Sequence, residues 1–178
     1  MPCDFISASR LEPCKDQVGG LKAVYFIDFE DSSLSIAYDA TDDYAIEELG
    51  ASAAVTAYKY DLRGTSSFTQ NITGSRDDGT TTVEQVLELS LKKLTQVDHN
   101  QLRLLMFNRP HVVVEDNNGN YQLAGLEYGC DVTGGTVVTG SNMSEFTGYT
   151  ITLTGMEKNP ANWVKSIAAL DVQDATAP

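Results

Sequence analysis

Leucine recurs at every second position in Val86-Leu87-Glu88-Leu89-Ser90-Leu91-Lys92, with Glu88, Ser90 and Lys92 between. That alternation gives an extended chain one apolar face and one polar face, because successive side chains of a strand point to opposite sides. Tyr149-Thr150-Ile151-Thr152-Leu153-Thr154 repeats the pattern. The run Ala23-Val24-Tyr25-Phe26-Ile27-Asp28-Phe29 is apolar on both faces and predicts a central or interface strand. Further strands are expected at Leu34 to Tyr38, Val55 to Leu62, Ser67 to Thr73, His111 to Glu115, Tyr121 to Tyr128 and Val132 to Val138.

Turn chemistry supports this reading. Asn118-Gly119 separates two strand-like runs and is a short-range hairpin signal. Arg63-Gly64-Thr65 and Asp77-Asp78-Gly79 punctuate two more expected strand pairs, and short turns between sequential strands imply an antiparallel meander. Gly134-Gly135, inside a strand-like stretch, marks a bulge or a close backbone approach. One helix is predicted, with Asp98 as N-cap, Gln101 three residues on, a stripe of Leu102, Leu105 and Met106, and a stop at Pro110. A second short helix is expected around Pro160 to Leu170. The expected fold class is mainly β, an antiparallel β-sandwich or barrel with one flanking α-helix. The expected organisation is an irregular N-terminal arm over residues 1–20, one β domain over 21–170 and a C-terminal tail over 171–178.

Charge narrows the partners. There are 25 Asp and Glu against 12 Lys and Arg, a net charge of −13. A field of that sign disfavours sequence-specific contact with nucleic acid or with an anionic membrane. Cys3, Cys14 and Cys130 are odd in number and widely spaced, unlike a secreted disulfide framework, so reduced thiols are expected. No run is apolar enough to span a bilayer, and Met1-Pro2-Cys3-Asp4 lacks a basic, then apolar leader, so cytoplasmic synthesis is expected.

Candidate chemistry is sparse. There is no Gly-x-Ser-x-Gly elbow, no phosphate-binding glycine loop and no Cys-x-x-Cys. His99 and His111 have no nucleophile beside them in sequence and read as packing or surface residues. Asp116, Asn118, Asn120 and Glu127 fall at positions 1, 3, 5 and 12 of a calcium loop. Tyr121 stands where that loop requires glycine, and the flanks read as strands, so a hairpin explains the same residues without a metal. Acidic pairs such as Glu30-Asp31 and Asp77-Asp78 are expected in so acidic a chain, and no cofactor, metal or catalytic residue is indicated.

The order of elements carries a resemblance. A hairpin-like segment runs from Ala57 to Phe68, followed by the long strand Glu84 to Leu94, a helix and a second hairpin. Gly134-Gly135-Thr136, Gly148 to Glu157 and Pro160-Ala161-Asn162-Trp163 close the chain. Over about residues 20 to 165 this resembles the tail-tube family of tailed bacteriophages, including ring proteins of phages infecting Bacteroidetes-type hosts. The resemblance implies two packed antiparallel sheets and six-membered rings whose inner sheets join into one barrel around a channel for DNA. It further implies a non-enzymatic virion protein of the tail, made in the host cytoplasm, whose partners are itself and other tail or connector proteins. DNA would be only non-specific cargo. Asp39, Asp42, Asp43, Glu47 and Glu48 are the candidates to face the channel, on charge density alone, with a solvated outer loop as the rival reading of the same residues. The Asp39 to Ser52 connection is shorter than the stacking loop of many tube subunits, so a head-tail connector or terminator ring is a variant on the same domain. The rival readings are a monomeric β-sandwich binding module, such as a capsid decoration or adhesin domain, and a carboxylate-based glycosidase.

Overall fold

The computed structural model describes residues 10, 15–29, 34–42, 44–51 and 55–173. In chain order its elements are β1 (Leu21–Ile27), β2 (Ile36–Tyr38), β3 (Ile46–Leu49), β4 (Val55–Asp61), β5 (Ser67–Ser75) and β6 (Thr80–Lys92). They continue with α1 (Gln96–Leu105), β7 (His111–Asp116), β8 (Tyr121–Ala124), β9 (Asp131–Val138), β10 (Gly148–Glu157), β11 (Asn162–Ser166) and β12 (Leu170–Gln173). Among the described residues strand accounts for 53% and helix for 7%, which makes the fold mainly β with one helix, as the alternation predicts.

The strands form two curled sheets. The large one has the order β12-β4-β1-β7-β8-β11-β3-β2 and the small one β5-β6-β10-β9. The small sheet is antiparallel throughout: β6 pairs with β5 on one side and with β10 on the other, and β10 pairs with β9. The large sheet is antiparallel except at two places, where β11 runs parallel to β3 and β12 parallel to β4. A simple meander is therefore corrected on two counts. The turn at Arg63-Gly64-Thr65 carries the chain from one sheet to the other, so β4 and β5 are not a hairpin pair. Parallel pairs need crossovers, and the chain supplies them by returning its last strands to β3 and β4.

Strand β1 shows why the sheets stack. Val24 and Phe26 point to one side, where Val112, Val114 and Ala124 join Leu87, Leu89, Tyr149, Ile151 and Leu153 of the small sheet in the first core. Ala23, Tyr25 and Ile27 point to the other side, where the large sheet curls over Val113, Leu123, Ile46, Leu49, Val55, Ala57, Val164 and Leu170 in the second. The reading of this segment as a strand buried on both faces holds.

Local chemistry sets the ends of elements. The helix cap is Thr95, whose Oγ1 accepts the Asp98 N–H at 3.0 Å and pairs with the Asp98 carboxylate at 2.6 Å. Asp98 is thus an acid in the first turn rather than the cap, and the helix starts earlier than its Asp-x-x-Gln pattern predicts. The Asn118-Gly119 turn joins β7 and β8 as expected, with Gly119 at φ 83°. The β8 strand stops at Ala124 instead of reaching Tyr128, because Gly125 turns the chain at φ 67°; a Cβ there would lie 2.6 Å from the Gly129 carbonyl carbon. The helix expected around Pro160 to Leu170 is instead β11 and the start of β12, each seated beside a strand of the large sheet. Strand β3 falls within the Asp39 to Ser52 stretch, which reads from sequence as a plain connection. Val18 and Gly19 lie along the β7–β8 turn, held by the Asn118 and Asn117 side chains, and β12 carries the sheet into the segment expected as a C-terminal tail, as far as Gln173.

Buried polar groups are satisfied. No buried side-chain nitrogen or oxygen among the described residues lacks a hydrogen-bond partner. Glu115 accepts from Tyr25 Oη at 2.8 Å and pairs with Lys22. Gln85 Oε1 accepts the Gly125 N–H at 2.9 Å, and Glu157 accepts the N–H groups of Glu127 and Tyr128 at 3.0 and 2.9 Å.

Leu153→Ala should lower unfolding stability by about 2–5 kcal/mol, whereas Thr152→Ala on the opposite face of the same strand should cost below about 1 kcal/mol. Urea titration of the two variants measures the difference.

Candidate assembly surfaces

The small sheet turns its apolar side chains to the core and a polar face outward. Facing pairs across β6 and β10 include Glu88 with Thr152, Ser90 with Thr150 and Val86 with Thr154. On the flanking strands Thr69 lies beside Val86, Asn71 beside Glu84, and Thr136 beside Thr150. The surface that results is rich in hydroxyls. Its charged members are Glu84 and Glu88, with Lys92 and Asp131 toward its ends. Asn71 Nδ2 donates to Glu84 at 3.2 Å, and the Thr133 and Thr154 hydroxyls pair at 2.9 Å.

The two edges of this sheet differ from ordinary strand edges. Strand β5 runs nine residues, SFTQNITGS, without a charge or a proline. Strand β9 runs eight, DVTGGTVV, with one charge at its first position. Proteins that keep a long edge strand in water guard it with lysine, proline, distortion or a covering element, since its free N–H and C=O groups template pairing with another chain. The guard here is limited to a bulge near Gly134, where the β9–β10 register shifts, as the glycine pair predicts. The large sheet ends instead on β2, of three residues, and β12, of four, which are short edges.

Beside the β9 edge lies a groove of about 490 Å³. One wall is a stripe of α1 and its C-cap, His99, Leu102, Arg103 and Met106, at helical spacing. The other is β9 with Tyr149 and Ile151 of β10 behind it. Met106 is 66% exposed and Val137 57% exposed, so the groove is apolar and open.

Of the acids expected in a channel, Asp39, Asp42, Glu47 and Glu48 sit at the β2–β3 end of the large sheet. The Asp39 carboxylate pairs with Lys165 and accepts two hydrogen bonds from Thr41, which hold its pKa well below the carboxylate range. Asp42 accepts the Tyr44 N–H at 3.0 Å. Glu47 is exposed and Glu48 half-buried on β3. Asp43 lies outside the described residues. The hairpin carries Asp39, Asp42, Glu47 and Glu48 at one end of the sheet, yet Asp39 and Asp42 serve local structure. Glu84 and Glu88, on the polar face of the small sheet, were not singled out by sequence. The alternation of β6 gives their face, but which sheet they belong to emerges only from pairing.

The remaining candidates resolve into structure. Asp116 accepts the N–H groups of Asn118 and Asn120, both at 2.8 Å, and their side-chain amides, closing the β7–β8 turn. Burial works to raise its pKa, and these hydrogen bonds outweigh that and lower it. Glu127 pairs with Lys158 at 2.9 Å, away from that turn. No group of three or more His, Cys, Asp or Glu side chains could hold a metal ion among the described residues. Cys130 is buried, and burial pushes its thiol up to about 12; Cys3 and Cys14 lie outside the described residues. His99 lines the groove, and His111 is buried with Nδ1 2.6 Å from the Gly125 carbonyl and its ring stacked on Phe29. No helix among the described residues is long and apolar enough to cross a membrane.

No protein-family model matches this chain, and comparison with curated proteins and with solved structures finds no significant match. The class that fold and surface define is a mainly β protein with a polar sheet face between two open edges.

Burial lowers the His111 pKa below its ordinary 6.5, and the hydrogen bond to Gly125 only partly opposes this. The unfolded chain therefore takes a proton near 6.5 that the folded chain resists. Stability from this group is complete above that value and declines as pH falls through the lower folded pKa. His111→Asn should flatten the fall in Tm between about pH 7 and about pH 5.5, read by thermal denaturation at each pH.

Proposed function

We propose that this protein is a structural virion subunit of the tail-tube type, which joins copies of itself into closed rings around a channel. The observation that carries the reading is the pair of long, almost uncharged edges, β5 and β9, on one antiparallel sheet. Four strands alternate in direction across that sheet, so β5 of one copy meets β9 of the next antiparallel under a simple rotation. Repetition of that head-to-tail contact closes into a barrel if the rotation closes, and closure removes both edges of the small sheet. Six copies are expected from the resemblance of the sequence to tail-tube proteins.

In such a ring the large sheet packs outside, and the hydroxyl-rich face of the small sheet lines the channel. Glu84 and Glu88 then replace Asp39, Asp42, Asp43, Glu47 and Glu48 as the proposed lining acids. Threonine and serine hydroxyls with Glu84 and Glu88 give DNA phosphates little to hold, with Lys92 the cation at one end of the face, which suits a passage that must release its cargo. On this reading the partners are further copies, other tail or connector proteins, and DNA only in transit, and no catalytic step is required.

The mass in solution and negative-stain images test the reading. Rings with an open channel are expected for the wild type. Asn71→Lys with Thr73→Lys guards the exposed β5 edge and should leave monomers of unchanged Tm. A wild type that stays monomeric at high concentration would favour a β-sandwich binding module instead. Rings carrying Glu84→Lys and Glu88→Lys should retain duplex DNA at low salt and release it as salt rises, while wild-type rings retain none; filter binding across a salt series separates the two.

A further inference from the structure

We infer that the groove between α1 and β9 is the socket for Ile72 of a second copy of this chain, in a register that sets Ile72 opposite Gly135. The inference rests on the ring reading and adds to it the contact that fixes how neighbours meet.

Ile72 is the key because its own copy leaves it uncovered. Phe68, Gln70 and Ile72 alternate on the core side of β5. Phe68 packs against the first core, and the Gln70 amide is taken by Gln122 and by the Ala161 N–H at 3.2 and 2.8 Å. Ile72 lies on the same side and is 68% exposed. An isoleucine on the core side of an edge strand, beyond the end of its own core, is apolar surface awaiting cover.

The groove supplies that cover. On its strand wall Val132 and Val137 flank Gly135, which has no side chain to fill the space in front of Ile151. The glycine is required there, since a Cβ would stand 2.8 Å from the Thr150 carbonyl oxygen. Leu102 and Met106 close the other wall.

Parity limits the register to the core-side residues of β9, and the space in front of Gly135 selects among them. Facing residues of paired strands point to the same side of a sheet, so core-side Ile72 must face a core-side residue of β9. Gly135 is one, paired with buried Ile151. With Ile72 opposite Gly135, Asn71 falls opposite Thr136 and Thr69 opposite Val138 on the polar face, and most of both strands overlap. Charge agrees with the direction. Strand β9 begins beside Arg109, just past the C-terminal end of α1, and antiparallel pairing brings the end of β5 there. The net acidic turn Arg76-Asp77-Asp78-Gly79 then lies near Arg109, which pairs with Asp131 at the first position of β9.

The test uses the full chain. Sedimentation velocity across a concentration series compares wild type, Ile72→Asp and Ile72→Leu. Ile72→Asp should raise the concentration needed for assembly by about tenfold or more without lowering monomer Tm, and Ile72→Leu should assemble as wild type. In a Cys3→Ser, Cys14→Ser background, Asn71→Cys with Thr136→Cys should oxidise to covalent multimers on a non-reducing gel. Ser67→Cys with Thr136→Cys should not, being four residues out of register. Assembly that survives Ile72→Asp, or cross-linking through the out-of-register pair, overturns the socket while leaving the ring reading intact. A wild type that remains monomeric, with no cross-link from either pair, overturns both.

Discussion

The burial of β1 and β7 on both faces is the constraint from which the rest of the architecture follows. Val24 and Phe26 lie in the core shared with the small sheet, while Tyr25 and Ile27 lie in the core that the large sheet makes by curling. A strand apolar on both sides needs two covering layers, and one short chain supplies them by folding one sheet and rolling the other. The polar groups drawn inside by this arrangement are tied down. Glu115 holds Tyr25 and Lys22, and Gln85 and Glu157 hold the backbone of the turn after β8. The Gln85 and Glu157 contacts pin the small sheet to the turn around Gly125 and Gly129, where Gly125 lies against Gly129 and Cys130, and Gly129 against the Arg109 carbonyl, too closely for added bulk.

That economy leaves the two sheets unlike at their margins. The large sheet tapers into three- and four-residue strands, whereas the small sheet ends abruptly on nine- and eight-residue ones. The helix does not cover the β9 edge. It lies along the core side of that strand, shielding Tyr149 while leaving the hydrogen-bonding row of β9 open and making the groove's second wall. A long edge of threonine, glycine and valine is costly for a protein that works alone and useful for one that works in a closed assembly. The ring proposal accounts for the edges, the polar face and the groove together.

Sequence alone determined the strands whose pattern is local. The alternation in β6 and β10, the double-sided β1, the Asn118-Gly119 hairpin and the bulge at Gly134-Gly135 were all legible, because side-chain direction in a strand depends only on position along it. The helix was legible too, although Thr95 rather than Asp98 caps it; both residues are capping types, and their mutual hydrogen bonds decide which holds the first turn. Only the tertiary structure decided the elements that depend on distant partners. Residues 162–166 and 170–173 became strands because β3, β8 and β4 offered them edges, a fact no local periodicity carries. The same holds for the acids. Density along the chain drew attention to Asp39 through Glu48, but the sheet to which a carboxylate belongs is set by strand pairing. Pairing places Glu84 and Glu88 on the open polar face and ties Asp39 to Lys165, because hydrogen bonds between strands join residues that the sequence keeps far apart.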